Sequence, residues 1–166
     1  MSDDVAVRVL SDATDVDRQS ILDMWSRHGV VTPEEAQRRI DQVVTVATAP
    51  TGEVVGVGTA YLGRNAQLRL DMWHYRTFVA PDFRMGYVAR GLASLAIQDL
   101  TARFVDGTER RGAGFLVEVE NEVWGRNLVG RYPHPGFGLS FIGRNQRGHP
   151  VRVLYFPGAR AAEPPA

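Results

Sequence analysis

Residues Phe78 to Leu100 read FVAPDFRMGYVARGLASLAIQDL, and the fold depends on how they are read. The stretch continues an apolar strand end (Thr77, Phe78, Val79) and passes through Ala80-Pro81-Asp82. It then becomes an amphipathic helix, expected over Val88 to Val105. Ala89, Leu92, Ala93, Ala96, Leu100 and Phe104 recur there at helical spacing. Arg84, Met85 and Gly86 stand at the join, where small and flexible residues let ligand atoms approach the backbone. A strand that turns into a helix presents unpaired N–H groups and a partial positive charge at the helix head. Phosphates bind well at such a place. A strand, a turn and a helix with one arginine also occur in any α/β protein, so the rest of the chain has to decide.

The chain has 166 residues, the size of one domain. Hydrophobic residues make up 44% and charged residues 23%, which reads as soluble and globular. Lys+Arg and Asp+Glu both number 19, so no basic field invites nucleic acid. Cysteine is absent, which excludes disulfides, thiolate metal sites and thiol nucleophiles. No apolar run reaches the roughly 18 residues of a membrane span, and the start MSDD is unlike a signal peptide. A cytoplasmic protein is expected, with no membrane and no metal.

Upstream of the motif, Val5 to Leu10 alternates as a first strand. Thr14 and Asp17 mark the start of a helix that carries Val16, Ile21, Leu22 and Trp25 on one face and ends at Gly29. Thr32-Pro33-Glu34-Glu35 opens a second helix, with Thr32 as cap and Glu35 placed to cap back. Two helices so close together are expected to form a lid or wall rather than a core. Val43 to Ala49 and Val54 to Leu62, joined by Pro50-Thr51-Gly52-Glu53, read as a hairpin. Gly63-Arg64-Asn65 is read as the next turn, before a long strand from Leu68 to Val79.

Downstream, Phe115 to Val119 reads as a fifth strand, reached through a helix and therefore parallel to the fourth. Glu122 to Val129 reads as a short helix. Leu139 to Gly143 and Val151 to Phe156 close the chain as a hairpin. The expected organisation is one domain over 1–157, with 158–166 a disordered tail.

The element order βααβββ-α-β-α-ββ, together with the motif, resembles the GNAT acetyltransferase superfamily. Val79-Ala80-Pro81-Asp82-Phe83-Arg84 resembles that family's strand end with x-P-x-[YF]-R, and Arg84 to Ala89 its R/Q-x-x-G-x-G/A loop. Tyr87 replaces the central glycine, and a glycine stands one place earlier at Gly86. Asn121 followed by Gly136-Phe137 resembles the second motif, with an interval about four residues longer than usual that holds Pro133 and Pro135. The resemblance implies a mixed central α/β sheet of about seven strands, helices on both faces, and parallel fourth and fifth strands that splay apart. It implies acetyl-CoA as co-substrate, its pyrophosphate cradled by Arg84, Met85, Gly86, Tyr87, Val88 and Ala89. Phe78, Val79 and Asn121 complete the donor-binding set, the Val79 N–H meeting the thioester carbonyl.

Acetyl transfer to an amine requires that the amine lose a proton, that the carbonyl be polarised and that the thiolate depart. The family's leaving-group acid is commonly a tyrosine about seven residues past the asparagine. Leu128 holds that place here, and Tyr132 follows one turn later, so Tyr132 is the candidate acid. Candidate bases are Glu118 and Glu120 on the fifth strand and Asp71 and His74 on the fourth, with Glu118 and His74 preferred. Each has a plainer reading: Glu118 as an ion-pair partner of Arg76 or Arg126, and His74 as a satisfied core histidine. In many GNAT enzymes water relays the proton.

The expected activity is an N-acetyltransferase acting on a primary amine of a small molecule or protein. The competing readings are an acyl-CoA-binding regulatory module without turnover, and a same-fold acyltransferase using a longer acyl or carrier-protein donor. The expected partners are an acyl-CoA and an amine acceptor, with a homodimer left open.

Overall fold

Side-chain alternation in two strands decides which helix lies on which face. The computed structural model describes residues 4–11, 15–84, 86–120, 131–134 and 137–160, with backbone alone at 15, 16, 86, 131–134 and 137. Strands β2 (Val43–Thr48) and β3 (Val54–Asn65) pair antiparallel, Val46 opposite Val57 and Ala47 opposite Gly56. Val46 and Val57 join Ile21, Met24 and Trp25 of α1 (Asp15–Arg27) and Ala36 of α2 (Pro33–Arg39) in one core cluster. Ala47 and Val55 point the other way, onto Val88 and Leu92 of α3 (Gly86–Asp106). Period-two alternation thus places helices on both faces, as expected.

The N-terminal helices were expected to be a lid or wall rather than a core, and the structure corrects this. Ile21 is 0% and Met24 1% exposed, so α1 supplies core side chains as fully as any strand. At roughly 1.5–3 kcal/mol per buried large apolar side chain, α1 is a main stabiliser of this cluster. Thr32 does cap α2, its Oγ1 accepting from the Glu35 N–H at 3.3 Å. Glu35 does not cap back: its carboxylate takes Arg38 and Arg39, each at 2.5 Å.

The remaining strands are β1 (Ala6–Val9), β4 (Leu70–Val79), β5 (Gly114–Glu118), β6 (Arg131–His134), β7 (Phe137–Arg144) and β8 (Pro150–Tyr155). Their hydrogen-bonded order is β1-β2-β3-β4-β5-β8-β7-β6. The sheet therefore has eight strands where about seven were expected. The added one is β6, which contains Pro133 and pairs with β7. Proline lacks an N–H to give a second neighbour, and β6 lies at the sheet's edge, where that costs nothing. The expected helix from Glu122 to Val129 lies outside the described residues.

β4 and β5 are neighbours and parallel, with Trp73 opposite Phe115, His74 opposite Leu116 and Tyr75 opposite Val117. Pairing stops at Tyr75, whereas β4 runs on to Val79. β5 then pairs antiparallel with β8, from Gly114 opposite Tyr155 to Glu118 opposite Val151. Only glycine fits at 114, because a Cβ there would lie 2.2 Å from the Leu154 carbonyl oxygen.

The chain packs as two compact units, Met1–Ala60 with Thr77–Asp99, and Tyr61–Arg76 with Leu100–Ala166. The two helix-covered clusters around α1 and the head of α3 belong to the first. The second has its own core of Met72, Leu116, Val151 and Val153. Phe104 packs on Phe156 at 5.3 Å and Tyr75 on Phe115 at 4.8 Å, ring centroid to centroid.

Candidate functional site

In the first unit, the end of β4 is fastened before the chain turns. The Ala80 N–H donates to the Val55 carbonyl at 2.8 Å, and Pro81–Phe83 then makes a single 3-10 turn. Proline at its first position presets φ and loses no needed donor. α3 starts at Gly86, two residues before the expected Val88, so the N–H groups of its first turn have no carbonyl four residues back within the helix. Val88, fully buried, holds this head against Ala47 and Val55.

Arg84 stands at the join, and its side chain folds back onto the strand end. Its Nε–H donates to the Val79 carbonyl at 3.0 Å, and its guanidinium carbon lies 5.9 Å from the centre of the Phe78 ring. Among the described residues no carboxylate pairs with it, and it is exposed. Val79 is buried, while Ala89 and Tyr87 are exposed, Tyr87 at 47%. Met85 and Asn121 lie outside the described residues.

In the second unit, a polar group assembles around His74. Its ring stacks on Tyr61 of β3, centroids 5.0 Å apart and planes 21° apart. His74 Nε2 lies 3.2 Å from the Gly63 carbonyl oxygen. A carbonyl oxygen only accepts, so Nε2 carries the proton and the neutral ring keeps its lone pair on Nδ1. Burial lowers the His74 pKa; the Gly63 carbonyl and the charge of Glu118 raise it less, and Arg76 lowers it further. His74 is therefore neutral at pH 7 and able to take a proton.

Gly63 was read as a turn residue, and this too is corrected. β3 runs through Gly63, Arg64 and Asn65, and the turn falls at 66–69, where the Asn65 side chain accepts from the Leu68 N–H at 2.9 Å. Glycine is needed at 63 for a different reason. A Cβ would lie 3.1 Å from His74 Cδ2 and 3.2 Å from Tyr61 Cε2, inside the ring stack.

Glu118 lies on the same face as His74, because Leu116 is His74's partner and Glu118 is two residues on. It is exposed, not a buried carboxylate in need of rescue, and its partner is neither Arg76 nor any described cation. Asn145 Nδ2 donates to its Oε2 at 3.0 Å. The Asn145 side-chain oxygen accepts from the Arg147 and His149 N–H groups at 3.0 and 2.9 Å. Two backbone donors fix which end of the amide is oxygen, so the NH₂ is aimed at Glu118 by the turn itself. Arg76 places its guanidinium carbon 4.5 Å from the centre of the Tyr61 ring.

The other candidates are placed elsewhere. Asp71 takes Arg64 at 3.4 Å. Glu120 lies beyond the end of β5. Tyr132 is on β6, its backbone paired with Leu139 of β7, three strands from β5 and so roughly 14 Å across the sheet. The Tyr132 side chain and Arg126 lie outside the described residues. Tyr61 and Asn145 were not anticipated. Asn145 heads the turn in which the Gly148 N–H donates to the Asn145 carbonyl at 2.9 Å; nothing local marks Tyr61. Among the described residues no group of three His, Asp or Glu side chains is placed to hold a metal, and no helix is long and apolar enough to cross a membrane.

No family profile and no curated protein matches the chain. Solved structures do. It is similar to a ribosomal-protein-alanine N-acetyltransferase from Brucella melitensis, with 18% identity over 91% of this chain and 99% of that one, at a TM-score of 0.59. A ribosomal-protein-S5-alanine acetyltransferase from Vibrio fischeri aligns with 13% identity over 93% of this chain and 94% of that one, TM-score 0.58. A GNAT-superfamily phosphinothricin acetyltransferase from Sinorhizobium meliloti, solved with AcCoA, aligns with 19% identity over 97% of this chain and 93% of that one, TM-score 0.57. At such identities the likeness is one of fold. With strand order, the parallel β4–β5 pair and the helix head after Arg84 all in place, the chain has the fold of the GNAT acetyltransferases.

Proposed function

We propose that this protein is an acyl-CoA-dependent N-acetyltransferase that moves an acetyl group from acetyl-CoA to a primary amine. The observation that carries the reading is the join of β4 to α3, where Arg84 is fastened to the Val79 carbonyl beside the helix head. Backbone N–H groups and an exposed guanidinium with no carboxylate partner among the described residues are the donor set a pyrophosphate needs. On this reading Arg84 to Ala89 hold the pyrophosphate, and Phe78, Val79 and Asn121 contact the rest of the donor. CoA supplies the thioester.

The residues of the second unit supply proton handling. The amine nitrogen forms a C–N bond to the thioester carbon, and the C–S bond breaks with its electron pair leaving on sulfur. The proton lost from nitrogen goes to His74 Nδ1, the lone-pair nitrogen fixed by the bond from Nε2 to Gly63. Glu118, oriented by Asn145, steadies the charge His74 gains. A thiol titrates near pH 8.5, so the thiolate is a fair leaving group without an acid.

The test is calorimetric titration of CoA into the protein, followed by thiol release from acetyl-CoA with a panel of primary amines. Binding with amine-dependent release is expected. A folded protein that binds no CoA overturns the proposal. Binding without release by any amine shows a sensor module instead, and release from longer acyl donors alone reassigns the donor.

A further inference from the structure

Charge on the His74 face has a direction, and it describes the acceptor. Arg76 and His74 are two residues apart on one face of β4, with Cα atoms about 7 Å apart. Arg76 is held in place by the Tyr61 ring, 4.5 Å from its guanidinium carbon. That same ring stacks on His74. Arg76 is exposed, and among the described residues no carboxylate pairs with it. Arg8, Arg18, Arg27, Arg38, Arg39, Arg64 and Arg111, by contrast, each pair with a carboxylate, Arg38 and Arg39 sharing that of Glu35. Glu118, also exposed, is satisfied by a neutral amide and by no described cation. A fixed cation, a neutral base and a fixed anion thus share one face of β4 and β5.

Resting on the acyl-transfer reading of this site, we propose that the acceptor is a small amine bearing a carboxylate or similar anion close to its nitrogen, an amino-acid-like zwitterion. Arg76 takes the anionic end, presenting a planar fork that suits a carboxylate. Glu118 receives the acceptor's ammonium, His74 takes the proton whose loss frees the nitrogen lone pair for attack, and the second proton, lost as the amide forms, passes to the departing thiolate. The Tyr61 ring holds Arg76 in place before the acceptor arrives, which lowers the ordering cost of forming the pair. Such an acceptor excludes a protein N-terminus or a lysine side chain, neither of which carries a carboxylate beside its amine.

The experiment compares amino acids with their carboxamides as acceptors of acetyl-CoA, in the wild type, Arg76→Gln and Arg76→Lys. Wild type is expected to favour the carboxylate form at least tenfold in kcat/KM. Arg76→Gln should abolish the preference by raising KM for that acceptor, with KM for acetyl-CoA unchanged, and Arg76→Lys should restore part of it. Equal rates for both members of each pair, or a preference that survives Arg76→Gln, overturns the proposal. A rise in KM for acetyl-CoA instead assigns Arg76 to the donor, which also overturns it. Where turnover is slow, saturation-transfer NMR of the same acceptor pairs on CoA-loaded protein gives the second readout, and loss of the carboxylate form's signal in Arg76→Gln is expected. CoA binding without acceptor discrimination defeats this inference alone, whereas absence of CoA binding defeats the transfer reading beneath it.

Discussion

The unit Met1–Ala60 with Thr77–Asp99 and the unit Tyr61–Arg76 with Leu100–Ala166 differ in what their polar groups are made of. In the first, the polar features at the β4–α3 join are a helix head and a strand-end carbonyl, both backbone, with one side chain, Arg84, fastened to that carbonyl. In the second, they are side chains from separate elements: Tyr61 from β3, His74 and Arg76 from β4, Glu118 from β5 and Asn145 from the β7–β8 turn. Backbone features tolerate many side chains and are set by local sequence. Side-chain groups are set by register, and any one of them can be deleted cleanly. The two regions should therefore respond differently to mutation.

His74→Gln gives the largest expected effect. General-base catalysis contributes about 10²–10⁴-fold, so kcat should fall by that much while CoA affinity stays at the wild-type value. The pH profile carries the sign. The His74 pKa is lowered, chiefly by burial, so the neutral base persists below the ordinary histidine value of about 6.5. Activity should hold as pH falls through that value and decline only at the lower folded pKa. Stability follows the same direction: the folded state resists protonation, so a penalty begins below the unfolded pKa and is complete below the folded one. A kcat for His74→Gln within threefold of wild type would remove His74 from the mechanism.

Arg84→Ala tests the other side of the comparison. It should weaken CoA by about 1.5–3 kcal/mol, the scale of a charge-assisted hydrogen bond. The loss should appear in the dissociation constant and leave the pH profile unmoved. Should the pH profile shift instead, the separation of donor binding from proton handling would be wrong.

The difference between the regions also explains what could be read from sequence. The β4–α3 join was legible because its determinants are adjacent: an apolar strand end, Pro81, Arg84 and a helical period from Val88. The parallel pairing of β4 and β5 was legible because a helix separates them. Tyr61 and Asn145 were not legible as site residues, since their neighbours come from register across 13 and 27 positions of chain. Gly63 was misread for a related reason. A glycine in a strand signals a turn locally, and only the ring stack from β4 shows why it is there. The sequence of α1 predicts a wall because it shows an apolar face but not the face of β2 and β3 that it covers. β6 was missed because Pro133 argues against a strand everywhere except at an edge.

Gly63→Ala sharpens this. The added Cβ meets His74 and Tyr61 at 3.1–3.2 Å, so both rings must give by a few tenths of an ångström. The gain from stiffening the chain, up to about 1 kcal/mol, offsets part of the crowding. Thermal stability should change by about 1 kcal/mol or less, while kcat falls about tenfold, since misplacement of a base is felt more in rate than in folding. Equal losses in both would mean that Gly63 serves packing alone.

The smallest effect is expected at Tyr87, the departure from the glycine pattern within the donor segment. A side chain at this position must point away from a ligand held by backbone N–H groups, or crowd it. Tyr87 is 47% exposed on the first turn of α3, while its neighbour Val88 is fully buried, which is the disposition of an outward side chain. Tyr87→Gly therefore removes no obstacle. It adds the conformational freedom of glycine at a helix start, which costs up to about 1 kcal/mol. The dissociation constant of acetyl-CoA, measured for both proteins at matched salt, should rise by less than tenfold, which is about 1.4 kcal/mol. A tenfold gain in affinity would show that Tyr87 crowds the donor, and that the segment's backbone is held back from the phosphates by a side chain rather than open to them.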